Sequence, residues 1–177
     1  MRKMKVIEVK PGLVCRARLT AAITRLSLSS AYREPLREPG CDPSDPPGLV
    51  TRYFRFNGKG RDVTIGVRLH AKAMVGLLKA LRKRRSIQVT QSFDSPYSGS
   101  YRTWDQQYKL WYNYKFGNGH KAAHPCYGYH RQGRAVDLYQ VTPEERAAML
   151  SVRVDGIRFY DGLSFGDPPH FTLGAKG

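Results

Sequence analysis

The stretch Tyr129-His130-Arg131-Gln132-Gly133-Arg134-Ala135-Val136-Asp137-Leu138 joins two candidate metal ligands to the start of a strand. Glycine at position 133 lets the backbone turn where a side chain would clash, and residues 134–139 then alternate in the manner of a half-buried strand. The apolar positions of this strand are expected to face the core, while Asp137 faces a cleft. His130 lies in the loop before the strand and can fold back over that cleft.

A second segment, Asp167-Pro168-Pro169-His170, follows after one predicted helix and one predicted strand. His170 begins an apolar run to Leu173 in which alternate residues share a face. If this run pairs with the strand that carries Asp137, His170 completes a set of two imidazoles and one carboxylate. Such a set suits a catalytic zinc with an open position for water. Asp167, on a proline-stiffened turn, is then placed to take a proton from that water.

From about Val89 to Leu173 the chain resembles a family of zinc peptidases. The family includes bacterial D-alanyl-D-alanine carboxypeptidases and phage L-alanyl-D-glutamate endolysins, and it is related to the metal site of hedgehog signalling domains. Its members show Ser-x-His-x-x-Gly-x-Ala-x-Asp and, later, Glu-x-Trp-His. Matched by position, the resemblance implies zinc ligands at His130, Asp137 and His170 and a general base at Asp167.

The resemblance extends upstream of these motifs. The family has a strand that ends in Tyr-Arg-Ser, followed by a helix with a Gln, and this chain has Tyr101-Arg102-Thr103 and Gln107. The match implies that Arg102 steadies the substrate carbonyl or the developing oxyanion, and that Tyr101 and Gln107 bind substrate. A guanidinium suits the role of Arg102, because it stays charged and donates in a fixed fork.

The chain departs from the family pattern at three points. Asp167 stands where the family has Glu, Pro169 stands where it has Trp, and Cys126 replaces the Gly in the approach to the first histidine, which also lacks the family's Ser. Because Asp is one methylene shorter than Glu, a base at this position needs its loop to come closer to the metal. A second hypothesis therefore stays open, in which the domain is a catalytically weakened wall-binding or phage structural module that keeps zinc for stability.

The chain is strongly basic, with a formal net charge of +16 from 30 Lys and Arg against 14 Asp and Glu. A positive field attracts polyanions, which include nucleic acids and also the anionic polymers and carboxylates of a bacterial cell wall. The densest basic run, residues 79–85, ends a predicted helix, where cations oppose the negative end of the helix dipole. Charge alone does not choose between these partners. The family resemblance implies peptidoglycan peptide as the partner, and binding of nucleic acid is the weaker alternative.

The predicted fold class is α+β, with a small antiparallel sheet and flanking helices, as the resemblance to the hedgehog and D,D-peptidase fold implies. Residues 49–177 are interpreted as the zinc peptidase-like domain, and residues 1–48 as an N-terminal extension that can pack on its core. No run is long and apolar enough to span a membrane, and the basic start lacks the apolar block of a signal peptide. An enzyme that acts on the wall would then reach it by lysis or phage delivery.

Three helices and a further strand are predicted around the motifs. The first helix runs over residues 71–85, with an apolar stripe at Met74, Leu77, Leu78 and Leu81. The second runs over 104–116 with Thr103 as N-cap, the third from Thr142 to about Val154, and a short strand follows at 157–160. The aromatic side chains of the second helix are expected mostly in the core: Trp104, Tyr108, Trp111 and Tyr112.

The three cysteines, Cys15, Cys41 and Cys126, are odd in number and widely spaced. This spacing indicates neither a disulfide framework nor a Cys-x-x-Cys metal pair. Cys126 lies near two histidines, but it is interpreted as a partly buried free thiol, because cysteine often packs as a small apolar group. His120 and His124 are expected to be exposed loop residues that can assist substrate binding.

Overall fold

The computed structural model describes residues 41–90, 97 and 99–174. In that part of the chain three helices and six antiparallel strands follow one another, which confirms the predicted α+β class. The strands are β1 (Leu49–Gly58), β2 (Arg61–His70), β3 (Ala135–Asp137), β4 (Arg153–Val154), β5 (Ile157–Gly162) and β6 (Asp167–Leu173). The helices are α1 (Ala71–Lys83), α2 (Trp104–Phe116) and α3 (Pro143–Leu150), and a 3-10 turn spans Leu163–Phe165.

A four-stranded antiparallel sheet carries both candidate motifs, in the order β3-β6-β5-β4. β3 pairs with β6 so that Asp137 lies directly opposite His170, and the pairing predicted for these two strands is confirmed. β3 is shorter than the predicted strand over 134–139. Leu138, just beyond its end, donates to the carbonyl of Pro169 in β6 at 2.9 Å and also forms an isolated bridge with Val89.

The second sheet is a long hairpin of β1 and β2, which the sequence analysis did not predict. Gly58 pairs with Arg61, so the turn consists of Lys59 and Gly60, which have φ angles of 51° and 77°. Two left-handed residues give a tight turn whose twist matches that of the strands it joins. In the half of the hairpin that packs on the core, alternate residues are buried: Phe54, Phe56, Ile65, Val67 and Leu69.

The hydrophobic core lies between this hairpin, helix α1 and the larger sheet. Helix α1 ends two residues before its predicted end, and the predicted apolar stripe places Met74, Leu77 and Leu81 in the core. Each such side chain contributes about 1.5–3 kcal/mol when it is removed from water. Gly76 allows Phe159 of the sheet to approach the helix, because a Cβ at this position would lie 2.6 Å from the Phe159 ring.

Helices α2 and α3 begin as predicted, since Thr103 and Thr142 each cap the helix in a reciprocal capping box. Helix α3 ends at Leu150, earlier than the predicted end near Val154, because the chain there turns into β4. The strand predicted at 157–160 is confirmed as β5. None of the described helices has the length and apolar character that crossing a membrane requires.

The prediction that the aromatic residues of α2 lie mostly in the core is wrong. Gln107 is the only fully buried residue of this helix, all of which is described, and Phe116 at its end is 68% exposed. The reason is that the inward face of α2 is polar. The Gln107 amide donates to the carbonyl of Ala123 at 2.7 Å and accepts from Arg102 at 3.5 Å, so the helix packs against a loop and the candidate site.

The interpretation of Cys126 as a free thiol is also wrong, because Cys126 forms a disulfide with Cys41. The sequence gives no local signal for this disulfide, because the two cysteines are 85 residues apart. They come together only where the N-terminal strap, residues 41–48, packs against the loop that carries Cys126. Arg131 donates to the carbonyl of Pro43 at 2.8 Å and secures the strap further. The rest of the proposed extension, residues 1–40, lies outside the described residues.

A buried ion pair joins the tip of the hairpin to helix α3. Lys59 Nζ lies 2.7 Å from Glu145 Oε2 and also donates to the carbonyls of Tyr139 and Gln140, each at 3.0 Å. The side chain of Glu145 is 1% exposed. Burial alone would raise the pKa of Glu145, but hydrogen bonds from Lys59 and from the Thr142 backbone outweigh it and lower that pKa.

Glu145→Gln is expected to lower the free energy of unfolding by about 3 kcal/mol at neutral pH, because it leaves the Lys59 ammonium buried without its counter-ion. Urea unfolding measures the difference. Since the pKa of Glu145 is lowered by folding, the stabilisation by its ionised form is present at neutral pH and is lost as the pH falls through that lowered pKa. The difference between variant and original chain should therefore shrink in acid.

Arg55→Gln is the control, because it removes an ion pair to Asp62 in which both side chains are 53% exposed. Solvent screens such a pair, so little change in stability is expected. Equal losses in the two variants would contradict the role given to Glu145.

Candidate metal centre

Three potential metal-ligating side chains converge at the junction of β3, β6 and the preceding loop. His130, Asp137 and His170 offer ligand atoms that all lie within 4.8 Å of one another. His130 Nε2 is 3.2 Å from Asp137 Oδ1 and 3.2 Å from His170 Nδ1, and the last two atoms are 3.0 Å apart. Both histidines are buried, with exposed fractions of 5% and 8%.

The loop between His130 and β3 places these side chains together by a left-handed turn. Gly133 has a φ of 67°, and its carbonyl accepts from the backbone N–H of His70 at 2.8 Å. A Cβ on Gly133 would lie 2.8 Å from that same nitrogen, so any larger residue would push the loop off the end of the hairpin. The turn predicted at Gly133 thus returns His130 over Asp137.

Hydrogen bonds on the outer side of each ring fix which nitrogen faces the centre. His130 Nδ1 lies 2.5 Å from the carbonyl oxygen of Ser100, and a carbonyl can only accept, so this nitrogen carries the proton. His170 Nε2 lies 2.8 Å from the hydroxyl of Thr172. With that nitrogen as the donor, His130 Nε2 and His170 Nδ1 both direct lone pairs at the carboxylate of Asp137.

A cation between these atoms resolves their mutual repulsion. When both inward ring nitrogens are unprotonated, their two lone pairs and the ionised carboxylate, at 3.0–3.2 Å, repel one another in a buried pocket, where the effective dielectric constant is low. Zinc bonds of about 2.0–2.1 Å at tetrahedral angles place ligand atoms roughly 3.3 Å apart. The three donors are therefore spaced almost as a tetrahedral metal requires, and the buried group could hold a metal ion.

The ionisation states favour metal binding as well. Burial lowers the pKa of His130, which favours the neutral ring that acts as a ligand. Burial alone would raise the pKa of Asp137, but the imidazoles of His130 and His170 and the guanidinium of Arg102 outweigh it and hold that pKa well below its usual range. Arg102 Nη2 lies 3.3 Å from Asp137 Oδ2, the oxygen that is not shared with the histidines.

The predicted general base lies at the edge of this group. Asp167 Oδ2 is 3.9 Å from His170 Nδ1, and the Asp167 side chain is 52% exposed. Arg146 holds the turn that carries it, since Nη2 donates to the carbonyl of Pro168 at 2.7 Å while Nη1 pairs with Asp161 at 3.1 Å. Sequence analysis did not assign this role to Arg146.

Of the two predicted substrate-binding residues, Gln107 lies beside the candidate metal centre, whereas Tyr101 is buried against the N-terminal strap. Gln107 lies beside Arg102 but uses its amide within the protein, as described above. Tyr101 is fully buried, and its hydroxyl donates to Asp45 and accepts from Arg131. Burial and the hydrogen bond to Asp45 raise the pKa of Tyr101, so the phenol stays neutral. Tyr101 thus has no surface that a substrate could contact, and it anchors the N-terminal strap.

The loop histidines are not part of the group. His124 Nδ1 accepts from the backbone N–H of Cys126 at 3.3 Å, and its ring packs edge-on against Trp111 with centroids 4.8 Å apart. His120 is exposed, as expected, but the same prediction is wrong for His124, which is half-buried because its ring packs against Trp111. The residues that sequence analysis missed are Ser100 and Thr172; alternation along β6 does put Thr172 on the face of His170, but no sequence signal marks the Ser100 carbonyl.

Comparisons of the chain with models of protein families, with curated proteins and with solved structures find no match. The geometry of this centre and the resemblance of its motifs are therefore the indications of a function.

Thr172→Val is expected to weaken binding of a metal such as zinc by about 10- to 100-fold, because the isosteric side chain removes the hydroxyl that bonds His170 Nε2 and orients the ring. Competition against a chromophoric chelator measures the affinity. Thr64→Val, on the exposed face of β2, is the matched control and should bind zinc as the original chain does. Unchanged affinity in Thr172→Val would show that this hydrogen bond does not orient a ligand.

Proposed function

We propose that this protein is a zinc-dependent peptidase that cleaves the peptide stems of bacterial peptidoglycan. The observation that carries the proposal is the convergence of His130, Asp137 and His170, in a spacing close to that of tetrahedral zinc ligands. Two neutral imidazoles and one carboxylate are ligands that zinc accepts, and three protein ligands leave a position for water. The motifs that hold these residues resemble those of the D-alanyl-D-alanine carboxypeptidase and L-alanyl-D-glutamate endolysin family.

A bound Zn²⁺ supplies a Lewis acid and lowers the pKa of a water molecule that it binds. Asp167 accepts the proton of the attacking water and later returns it to the leaving amine. Its carboxylate lies at the rim of the centre and is open to solvent, so it can reach both the water and a peptide. Asp167 is one methylene shorter than the Glu of the family motif. Arg146 contacts both Pro168 and Asp161, and these contacts hold the turn that carries Asp167 close to the candidate metal ligands.

Arg102 has two tasks in this scheme. Its guanidinium keeps Asp137 ionised through the 3.3 Å contact to Oδ2. The side chain is also 30% exposed at the mouth of the site, where it can donate to the substrate carbonyl as negative charge develops on the oxygen.

The charge and the disulfide support an extracytoplasmic polymer as substrate. A net charge of +16 favours the carboxylates of stem peptides and the anionic polymers of the wall. The Cys41–Cys126 disulfide suits an oxidising environment such as the one outside the cytoplasm. Both the D-Ala-D-Ala and the L-Ala-D-Glu bonds of the stem are candidate scissile bonds.

His130→Ala is expected to abolish both stoichiometric zinc and cleavage of stem peptides, because it removes one of three ligands. Elemental analysis of the desalted protein measures zinc, and mass spectrometry of purified muropeptides, with and without chelator, measures cleavage and identifies the bond. His120→Ala is the matched control, since it removes an exposed imidazole outside the centre. Unchanged hydrolysis by His130→Ala would exclude the scheme.

Asp167→Asn separates a catalytic centre from a structural zinc site. It is expected to keep zinc and to lower kcat by about 10²- to 10⁴-fold, because the amide cannot accept the proton. Asp155→Asn, in an exposed ion pair with Lys72, should retain kcat. If the original chain released no new amine ends while chelation lowered its melting temperature, a wall-binding or phage structural module with a structural zinc would replace the proposed enzyme.

A further inference from the structure

Aromatic rings form a continuous surface along the second half of α2 and the loop that follows it. We call this surface, made of Trp111, Tyr112, Phe116, His124 and Tyr127, the aromatic face. Ring centroids are 4.9 Å apart for Tyr112 and Phe116, 6.1 Å for Phe116 and Trp111, and 4.8 Å for Trp111 and His124. Phe116 is 68% exposed and Tyr127 is 63% exposed.

These rings are not needed to close the hydrophobic core, to which no residue of α2 belongs. The helix is anchored by polar contacts of Gln107, and from residue 112 to its end every residue is exposed. Leaving several large rings in water forgoes the burial that aromatic side chains usually supply. A contiguous exposed patch of this kind marks a surface that binds a partner.

The charge of this region selects an anionic partner. The sequence contains no Asp or Glu between Asp105 and Asp137, while Lys109 and Lys115 lie on α2 and Lys121 lies in the loop that leads to His124. A second copy of the chain would bring these lysines against one another in a two-fold dimer, which is unfavourable. The tyrosine hydroxyls and lysines are also spread around the helix, so α2 lacks the separate apolar side with which a helix enters a membrane.

The aromatic face lies close to the candidate metal centre. The buried Gln107 contacts Arg102 at the centre and Ala123 in the loop of the face. Phe116 lies nine residues beyond Gln107 along the helix, which corresponds to roughly 14 Å at 1.5 Å per residue. This distance is short enough for a polymer whose side branch enters the centre to reach the aromatic face.

We propose that the aromatic face binds the glycan strand of the peptidoglycan whose stem peptide enters the metal centre; this inference rests on the proposed function for its choice of polymer. Sugar rings present flat C–H surfaces that stack on exposed aromatic rings, and Tyr hydroxyls can bond to sugar hydroxyls at the same time. The lysines pair with carboxylates that the polymer carries. The enzyme thus holds the polymer on one surface and cleaves its branch on another.

The test is co-sedimentation of the full chain with insoluble peptidoglycan that has been stripped of wall-linked anionic polymers. An Asp167→Asn background at low temperature keeps the polymer intact during the assay. Tyr112→Ala combined with Phe116→Ala is expected to weaken binding by about tenfold, as the loss of aromatic anchors does in other interfaces. Zinc content should stay at the level of the parent. Tyr53→Ala, which removes a 52% exposed ring on β1, should bind like the parent.

Unchanged sedimentation of the Tyr112 and Phe116 double variant would overturn the inference. Binding of the double variant to single-stranded DNA and to anionic vesicles is measured alongside. If the double variant lost either of these while it still bound peptidoglycan, the inference would also be overturned, because the partner of the aromatic face would then be a nucleic acid or a membrane. Cleavage by the unaltered chain is measured separately. If no cleavage occurred but binding still depended on these two rings, the proposed function would fail and the inference would stand.

Discussion

Three electron-rich atoms that face one another inside the protein are the constraint on which the structure depends. His130 Nε2, Asp137 Oδ1 and His170 Nδ1 lie 3.0–3.2 Å apart, and the Ser100 carbonyl requires the proton of the His130 ring on its outer nitrogen. When Thr172 accepts the proton of the His170 ring in the same way, lone pairs of both rings face the carboxylate, which is unfavourable in a buried pocket without a positive charge between them. A divalent cation would relieve this repulsion by coordination, so the group could hold a metal ion.

The scaffold fixes the three donors by independent means. The register of β3 and β6 sets Asp137 opposite His170, and the turn at Gly133 sets His130 over both. The loop that carries His130 is held from outside by the Cys41–Cys126 disulfide and by the contacts of Arg131 with the N-terminal strap. Rigid support of this kind is what a catalytic metal site requires, because small displacements of a ligand are costly.

Sequence patterns predicted the elements whose signals are local. Helices α1, α2 and α3 were predicted from the apolar stripe of α1 and from the capping boxes at Thr103 and Thr142. Strand β3 was predicted from the alternation of residues around Asp137. Its pairing with β6 brings the candidate ligands Asp137 and His170 together. The failures concern long-range partners. Cys41 and Cys126 are 85 residues apart, and the aromatic residues of α2 resemble core residues unless the polar anchor at Gln107 is known. The hairpin of β1 and β2 carried a partial local signal, since Asn57-Gly58 stands between alternating apolar runs. This signal would have predicted a hairpin with its turn two residues too early, because Asn57 and Gly58 pair within the strands and the turn is Lys59-Gly60.

The claim that these three side chains bind one divalent metal is tested most directly by X-ray absorption at the zinc edge on protein that has been reconstituted with zinc and desalted. The account predicts one zinc per chain, with only nitrogen and oxygen neighbours at about 2.0–2.1 Å and the outer scattering of two imidazole rings. Failure to retain zinc, or a first shell that contains sulfur at about 2.3 Å, would contradict it.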